Sequence, residues 1–157
     1  MTFQLQAIRE GLAAAITGVF ATNNEPIQVY AYDLDSVEYP AVIVLPDSGT
    51  TISYGDTFGS GSLITTSWVI HIRCSAADAK SAQIQLMRLM NSGSTEARSI
   101  PDALEVLRVS DNSPTLNGTV SNVYVDTGTI NPVQELAAAG PYEVTGDIKV
   151  TVRTMRS

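Results

Sequence analysis

The side chains with the clearest potential for chemistry lie in the short stretch 33–38. Asp33, Asp35 and Glu38 form the densest acidic cluster of the chain. Carboxylate oxygens are the ligands that hard cations prefer, and two carboxylates can act as general acid and general base. A calcium loop needs a longer series of ligands around a central glycine, and the cluster has neither. We therefore interpret this stretch as a solvated connection without a metal site, and a small metal-dependent hydrolase is an alternative hypothesis.

The chain contains one histidine, His71, and one cysteine, Cys74. They lie on opposite sides of an alternating strand pattern, with Cys74 on the apolar side. One histidine and one cysteine are too few for a zinc site. No serine lies in the strand-to-helix turn in which many hydrolases hold their nucleophile. We therefore predict a buried thiol that acts as a small hydrophobe, a histidine without a catalytic role, no cofactor and no enzymatic activity.

The composition narrows the class of protein and its partners. A chain of 157 residues fits a single domain, 1–157, that can bury a substantial core. With 44% apolar and only 16% charged residues, the chain is too apolar for a disordered protein. Its net charge of -7 disfavours nonspecific binding to nucleic acid, because phosphate contacts need clustered lysine and arginine. No apolar run approaches the ~20 residues of a membrane span, so we expect no membrane contact.

Two apolar runs, 40–46 and 68–73, organise the middle of the chain. The first is almost entirely β-branched, which predicts a strand buried on both faces. The second alternates between apolar and polar residues, which predicts a strand with one covered and one open face. Residues 47–67 between them are rich in glycine, serine and threonine and predict a long hairpin arm. Tyr54 and Phe58 on this arm could contact a partner or fold back onto the core, and both interpretations stay open.

The remaining pattern predicts helices before and after these strands. Apolar residues recur at three- and four-residue spacing near the N-terminus, as expected of a helix with one buried stripe. Helices are predicted at 2–20, at 79–91 and from 99 to 107, and further strands at 27–32, 120–126 and 142–155. Residues 127–141 are interpreted as a second long connection. We therefore predict an α+β fold in which two to three helices pack on a small, mostly antiparallel or mixed β-sheet.

Six short pieces of the sequence carry a family resemblance when they are taken in chain order. They are Ile8-Arg9-Glu10-Gly11-Leu12, Val29-Tyr30-Ala31-Tyr32, Tyr39-Pro40-Ala41-Val42-Ile43-Val44, Ile52-Ser53-Tyr54-Gly55-Asp56-Thr57-Phe58, Ser99-Ile100-Pro101-Asp102-Ala103-Leu104-Glu105 and the strand 142–152. Together they resemble the tail terminator proteins of long-tailed, siphovirus-type bacteriophages, particularly those of actinobacterial phages. Neighbouring neck components, such as tail-completion and head–tail joining proteins, share much of this pattern and are the alternative within the same class.

The resemblance implies a structural virion protein. Six copies would form a hexameric ring, a homo-oligomer that caps the head-proximal end of the tail tube. The ring would end polymerisation of the major tail tube protein and offer a surface to the head–tail connector or stopper protein. DNA would pass through the lumen without specific binding, which suits an acidic protein because like charges repel. The protein would be assembled in the host cytoplasm and reside in the tail of the virion.

Five residues are candidates for contacts with a neighbouring subunit or with the tube: Tyr54, Phe58, Tyr30, Tyr32 and Arg73. The first two lie on the predicted arm, and the other three lie on the polar sides of predicted strands. The connection 127–141 is an insertion relative to the pattern of the resemblance. A monomeric binding module that uses the arm is a third hypothesis.

Overall fold

The structure is a computed structural model that describes residues 4–22, 27–34, 37–49, 52–53, 63–91, 99–105, 115–116, 119–136 and 140–155. Within these ranges the chain forms helices and strands in the order α1 (Gln4–Thr22), β1 (Gln28–Tyr30), β2 (Ala41–Pro46), β3 (Ile52–Ser53), β4 (Leu63–Ala76), α2 (Ala79–Met90), α3 (Ile100–Glu105), β5 (Thr115–Leu116), β6 (Thr119–Ile130), β7 (Gln134–Glu135) and β8 (Tyr142–Met155). The fold is α+β, so the predicted fold class is confirmed.

The described strands form one mixed sheet. Its order is β1-β2-β4-β8-β6-β5, with β3 paired to β4 and β7 paired to β8. β1 and β2 run parallel, and the other pairings among the described strands are antiparallel. β4 and β8 pair along their whole length, from Leu63 opposite Met155 to Ala76 opposite Tyr142. This long central pair fixes the positions of the side chains on both faces of the sheet.

The central strands follow the patterns that the sequence predicts. Residues 41–44 of β2 are all buried, as expected of a strand that is covered on both faces. In β4, Trp68 and the alternate residues up to Cys74 are buried, whereas His71 and Arg73 are only half-buried. β8 shows the same alternation. Successive side chains of a strand point to opposite faces, so both long strands have one buried and one open side.

The three helices of the described residues pack on the same face of the sheet. Asp78 caps α2 by accepting a 2.8 Å hydrogen bond from the backbone N–H of Ser81. Ser99 caps α3 in the same way, accepting from the N–H of Asp102 at 3.4 Å. The buried cluster includes Ile8, Leu12, Ile16 and Phe20 of α1, Ala82, Leu86 and Leu89 of α2, Ile100 and Leu104 of α3, and Val42, Val44, Trp68, Ile70, Ile72, Val123, Ile148, Val150 and Val152 of the sheet.

Gly146 allows α2 to lie close against β8. A Cβ atom added at this position would overlap the Met90 sulfur and would lie 3.1 Å from a methyl group of Leu86. Gly128, on the neighbouring strand, likewise lies under Met90. A side chain at Gly146 would therefore displace Met90, and close backbone approach is the reason for glycine here.

The predicted hairpin arm at 47–67 is not confirmed. β4 begins at Leu63, five residues before the predicted start, and Ile52 of β3 pairs with Thr66. The first residues of β4 pair with β8 and β3, and this pairing makes them a strand although their composition predicts a connection. Tyr54 and Phe58 lie outside the described residues.

The predicted connection at 127–141 is shorter than expected, because residues 127–130 belong to β6 and Gln134–Glu135 form β7. β6 continues to Ile130, β7 pairs with β8, and the N–H of Leu136 donates to the carbonyl of Pro141 at 2.9 Å. The N–H of Asn131, which lies between β6 and β7, donates to the carbonyl of Thr145 on β8 at 2.9 Å. Strand propensity in this stretch is low, but pairing with β8 satisfies its backbone groups and decides its conformation.

Candidate functional site

The outer face of the sheet, defined as the face turned away from the helices, carries an ordered set of polar side chains. Paired residues of neighbouring strands share a face, so His71 lies beside Asp147 and Asp147 beside Thr129. Ala41 and Ile43 also belong to this face, yet both are buried and lie outside the main core cluster. The outer face is therefore covered at β2 and open over β4, β8 and β6.

One polar cluster on the outer face is centred on His71 and Asp147. The Nδ1 atom of His71 lies 2.7 Å from Oδ1 of Asp147, and both side chains are partly exposed. The amide of Asn131 donates to Oδ2 of Asp147 at 3.2 Å and to the hydroxyl of Thr145 at 2.9 Å. Such a carboxylate orients an imidazole, as in a nucleophile–histidine–carboxylate set. Within the described part of the chain, however, no hydroxyl or thiol hydrogen-bonds to the other ring nitrogen.

A second polar cluster joins Arg73, Glu143 and Tyr39. The Arg73 guanidinium donates to Oε2 of Glu143 from Nη2 at 2.8 Å and from Nε at 3.0 Å. The Tyr39 hydroxyl donates to the same carboxylate oxygen and accepts from Arg73 at 3.0 Å. Glu143 is nearly buried. Burial acts to raise the pKa of Glu143, but the hydrogen bonds from Tyr39 and Arg73 and the positive charge of Arg73 outweigh it and lower that pKa below its ordinary value.

Arg9 of α1 closes the end of the short parallel pairing between β1 and β2. Because β1 ends opposite Ile43, Val44 has no partner on β1, and its carbonyl accepts a hydrogen bond from Nη2 of Arg9 at 2.8 Å. Nε of Arg9 also donates to the carbonyl of Ala31. The guanidinium lies 4.6 Å from the ring centroid of Tyr32. The Arg9 side chain thus donates hydrogen bonds to two backbone carbonyls near β1 and β2 and forms a cation–π contact with Tyr32.

Three of the interface candidates, Tyr30, Tyr32 and Arg73, lie within the described residues, and each contacts other residues of the same chain. The Tyr30 hydroxyl accepts a 3.1 Å hydrogen bond from the N–H of Glu38. Tyr32 stacks on Arg9 and donates to the carboxylate of Glu10 at 3.0 Å, and Arg73 pairs with Glu143. These contacts hold the side chains in place, and an interface role for them remains a prediction.

The connection between β1 and β2 exposes apolar and acidic side chains together. Tyr32, Leu34 and Tyr39 are 43%, 49% and 38% exposed, and Asp33 and Glu38 are exposed between them. We call these five residues the acidic segment. Large apolar side chains held among charged ones are typical of protein interfaces, where the apolar groups supply affinity and the charges form the rim.

The outer face over β4, β8 and β6 combines apolar and basic side chains. Lys149 and Arg153 of β8 are exposed, and the Arg153 guanidinium lies 5.2 Å from the ring centroid of Tyr124 on β6. Val69 of β4 is paired with Lys149 and is half-buried. We call these four residues the basic face. Neither cation forms an ion pair with a carboxylate of the described residues.

Three other features of the described residues bear on possible chemistry: the cysteine, a groove beside α2 and the possible metal ligands. Cys74 is fully buried on the helix side of β4, and burial raises the pKa of its thiol to about 11, against an opposing effect of Arg88. A groove of about 490 Å³ beside α2 is lined by Ser75, Ala76, Ser81, Ile84, Gln85 and Arg88. Arg88 is the one ionisable side chain among these lining residues, so the groove does not hold an acid facing a base. No group of three possible metal ligands occurs among the described residues, and Asp35 lies outside them.

Sequence reasoning missed the partners of His71 and Arg73. Asp147 lies 76 positions from His71, and Glu143 lies 70 positions from Arg73. The alternation of β8 places Asp147 on its polar side, but only the pairing register with β4 brings the two strands' polar residues together. Only the pairing register between β4 and β8 would have identified these partners in advance.

None of the helices formed by the described residues is long and apolar enough to span a membrane. No model of a known protein family matches this chain, and no curated protein matches it either.

Proposed function

We propose that this protein is a structural subunit of a bacteriophage tail, a tail terminator that forms a ring on the head-proximal end of the tail tube. The sequence resemblance supports this proposal, and so does an α+β fold whose described helices lie on one face of the sheet. In this role the ring ends tube polymerisation and receives the head–tail connector or stopper protein, while DNA passes through its lumen. The protein then resides in the tail of the virion and needs neither cofactor nor catalytic residues.

The observation that carries the proposal is that side chains on the open outer face are held in place by contacts with one another. Its ionisable groups at the centre are paired with each other, His71 with Asp147 and Arg73 with Glu143. Side chains that are already held in place lose little conformational entropy when a partner covers them. A rigid polar surface of this kind favours a binding role, since an enzyme needs reactive groups that are left available for substrate.

Tube polymerisation with the tail tube protein of the same virus tests the proposal. Electron microscopy should show that added protein caps one end of each tube and shortens the length distribution. Tubes of unchanged length, without density at an end, would contradict a terminator role. Binding to the connector or stopper protein without an effect on tube length would instead indicate another neck component, such as a head–tail joining protein.

The predicted role of Tyr54 and Phe58 can be tested in the same assay. If these aromatics contact a neighbour, replacing both with alanine should leave the melting temperature nearly unchanged and abolish tube capping. The double variant Ile84→Ala, Met87→Ala is a suitable control because it removes two exposed apolar side chains of α2 that are not among the interface candidates. A double variant that unfolds would assign the aromatics to the domain core, and one that caps tubes normally would remove them from the interface.

A further inference from the structure

The connection between β1 and β2, which carries the acidic segment, is attached to the rest of the fold mainly by side chains. Among its described residues, 31–34 and 37–40, only Pro40 takes part in a backbone–backbone hydrogen bond, and its carbonyl accepts from the N–H of Gln28 at 2.9 Å. Most of these residues are exposed. A segment with few buried contacts and few backbone hydrogen bonds opens locally at a lower free energy than the core. Side-chain contacts therefore decide how firmly this connection stays closed.

Two clamps of the same composition hold the two ends of the connection. In each clamp an arginine lies over a tyrosine ring and the tyrosine hydroxyl donates to a glutamate; the members are Arg9, Tyr32 and Glu10 in the first and Arg73, Tyr39 and Glu143 in the second. The bond from Tyr32 is exposed, whereas Glu143 is nearly buried and also accepts two hydrogen bonds from Arg73. Hydrogen bonds are stronger away from water, so the second clamp is the stronger one.

The end of the connection that includes Tyr39 covers part of the outer face. Ala41 and Ile43 point to this face, away from the helices, and both are buried. Their neighbours on the same face include Arg73, which is paired with Ala41, and Tyr30, which is paired with Ile43. The connection binds Arg73 through Tyr39, and it binds the Tyr30 hydroxyl through the N–H of the residue before Tyr39. It therefore lies over these two apolar side chains.

We infer that the Tyr39 hydroxyl and the Glu143 carboxylate form a latch that keeps the connection over Ala41 and Ile43, and that protonation of the carboxylate releases it. Protonation turns charge-assisted hydrogen bonds into weaker neutral ones and removes the partner of the Arg73 cation. Because residues 41–46 stay paired with β4, the connection opens without loss of the sheet. The latch does not depend on the proposed role in a phage tail.

The groups around Glu143 set the direction of the response to pH. Burial raises the pKa of this carboxyl, but hydrogen bonds from Tyr39 and Arg73 and the positive charges of Arg73 and His71 outweigh it and lower that pKa below 4.5. The residue paired with Glu143 on β7, Gln134, is uncharged. Asp147, which lies on the same side of β8, is bound to His71.

A lowered carboxyl pKa means that the charged form stabilises the closed connection. This contribution is fully present above the ordinary pKa of 4.5 and is lost as the pH falls through the folded value. The connection should therefore stay closed near neutral pH and open in acid.

Exchange of single backbone amides, measured by NMR, tests the latch. The amide of Glu38 reports the closed connection because it donates to the Tyr30 hydroxyl, and the amides of Ile70 and Ile148, in the paired strands β4 and β8, report the core. Tyr39→Phe removes the latch hydroxyl and keeps the ring, and Glu143→Gln imitates the protonated carboxyl. Tyr32→Phe is the matched control, since it removes the corresponding hydroxyl from the exposed clamp.

The Glu38 amide should exchange faster than the two core amides in the wild type, which would show opening without unfolding. At neutral pH, Tyr39→Phe should accelerate exchange at Glu38 at least about tenfold, because a hydrogen bond to a charged group is lost. Tyr32→Phe should accelerate it less than about threefold. After correction for the intrinsic effect of pH on exchange, wild-type protection at Glu38 should fall below pH 4.5 towards that of Glu143→Gln, while the core amides stay protected.

Three results would overturn the inference. Equal protection of Glu38 and the core amides would show that the connection opens only when the whole protein unfolds. A Tyr39→Phe protein that exchanges like Tyr32→Phe would show that the Tyr39 hydroxyl does not hold the connection. Corrected wild-type protection that stays constant below pH 4.5 would show that the carboxylate does not control opening. If Glu143→Gln does not fold, Tyr39→Phe and the acid titration of the wild type still decide.

Discussion

Replacing Glu143 with glutamine removes the negative charge at the centre of the Arg73, Glu143 and Tyr39 cluster and keeps the shape of the side chain. The carboxylate oxygen that is lost accepts two hydrogen bonds from the Arg73 guanidinium and one from the Tyr39 hydroxyl. The Glu143 side chain is 9% exposed and that of Arg73 is 31% exposed. The variant therefore leaves a partly buried cation without its counter-charge.

The expected loss of stability follows from these exposures. A hydrogen bond to a charged group contributes about 1.5–3 kcal/mol, and breaking a fully buried pair costs about 3–5 kcal/mol. Arg73 can regain water on its exposed side, so the lower range applies, and we expect the free energy of unfolding to fall by about 1.5–3 kcal/mol. With a urea m-value of about 2 kcal/mol/M, the midpoint of unfolding should fall by about 1 M.

Urea unfolding followed by the fluorescence of Trp68, the single tryptophan of the chain, measures this change. Trp68 is buried and should report loss of the core. Glu38→Gln is the matched control because it removes an exposed carboxylate next to Tyr39 in the chain, and its effect should stay within about 0.5 kcal/mol. A Glu143→Gln protein that is as stable as the control at neutral pH would refute the reasoning.

The pH dependence gives a second check. The folded-state pKa of Glu143 lies below its ordinary value of 4.5, because hydrogen bonds from Tyr39 and Arg73 outweigh the effect of burial. A lowered carboxyl pKa contributes stability that is fully present above the ordinary pKa and is lost as the pH falls through the folded value. The stability difference between wild type and Glu143→Gln should thus be constant near neutral pH and should narrow as the pH falls below 4.5. A difference that widens on acidification would contradict this assignment.

Three further predictions concern the core and the histidine. Gly146→Ala should lower the free energy of unfolding by about 1–3 kcal/mol, because the added Cβ overlaps Met90. Gly18→Ala is the control: the added Cβ has no atom within 4 Å, and the change should stabilise α1 by about 0.5–1 kcal/mol. Equal effects of the two changes in urea unfolding would contradict the close packing of α2 on β8. The Cys74 thiol, buried and with a pKa of about 11, should react with a thiol reagent only as fast as the protein opens, and fast labelling of the native protein at neutral pH would show that it is accessible. His71→Ala should leave tube capping unchanged with a loss of about 1 kcal/mol in stability, and a stably folded, normally assembled variant without function would reveal a role beyond structure.

The faces of the strands could be predicted because local chemistry dictates them. The alternation through Trp68, Ile70 and Ile72 means that one side of β4 must be buried whatever covers it. The β-branched run of β2 likewise indicates burial on both faces, and residues 41–44 are buried. The cap at Asp102 and Ser99 is also local, because both partners lie within one helical turn.

The two long connections could not be predicted well, for a physical reason. Gly128, Asp126 and Asn131 have low strand propensity, and their sequence alone favours a turn. They nevertheless belong to or border paired strands, because β8 offers backbone partners over its whole length. Long-range pairing thus overrides local preference in this hairpin and at the start of β4.

The sequence by itself determined which side chains are buried and which lie on the polar side of each strand, since that depends on period and side-chain type. Tertiary structure alone decided which polar residues meet. The register between β4 and β8 brings His71 to Asp147 and Arg73 to Glu143, although neither pair leaves a signal in local periodicity. Register and strand order are fixed by hydrogen bonds and packing between distant segments, which no local pattern specifies.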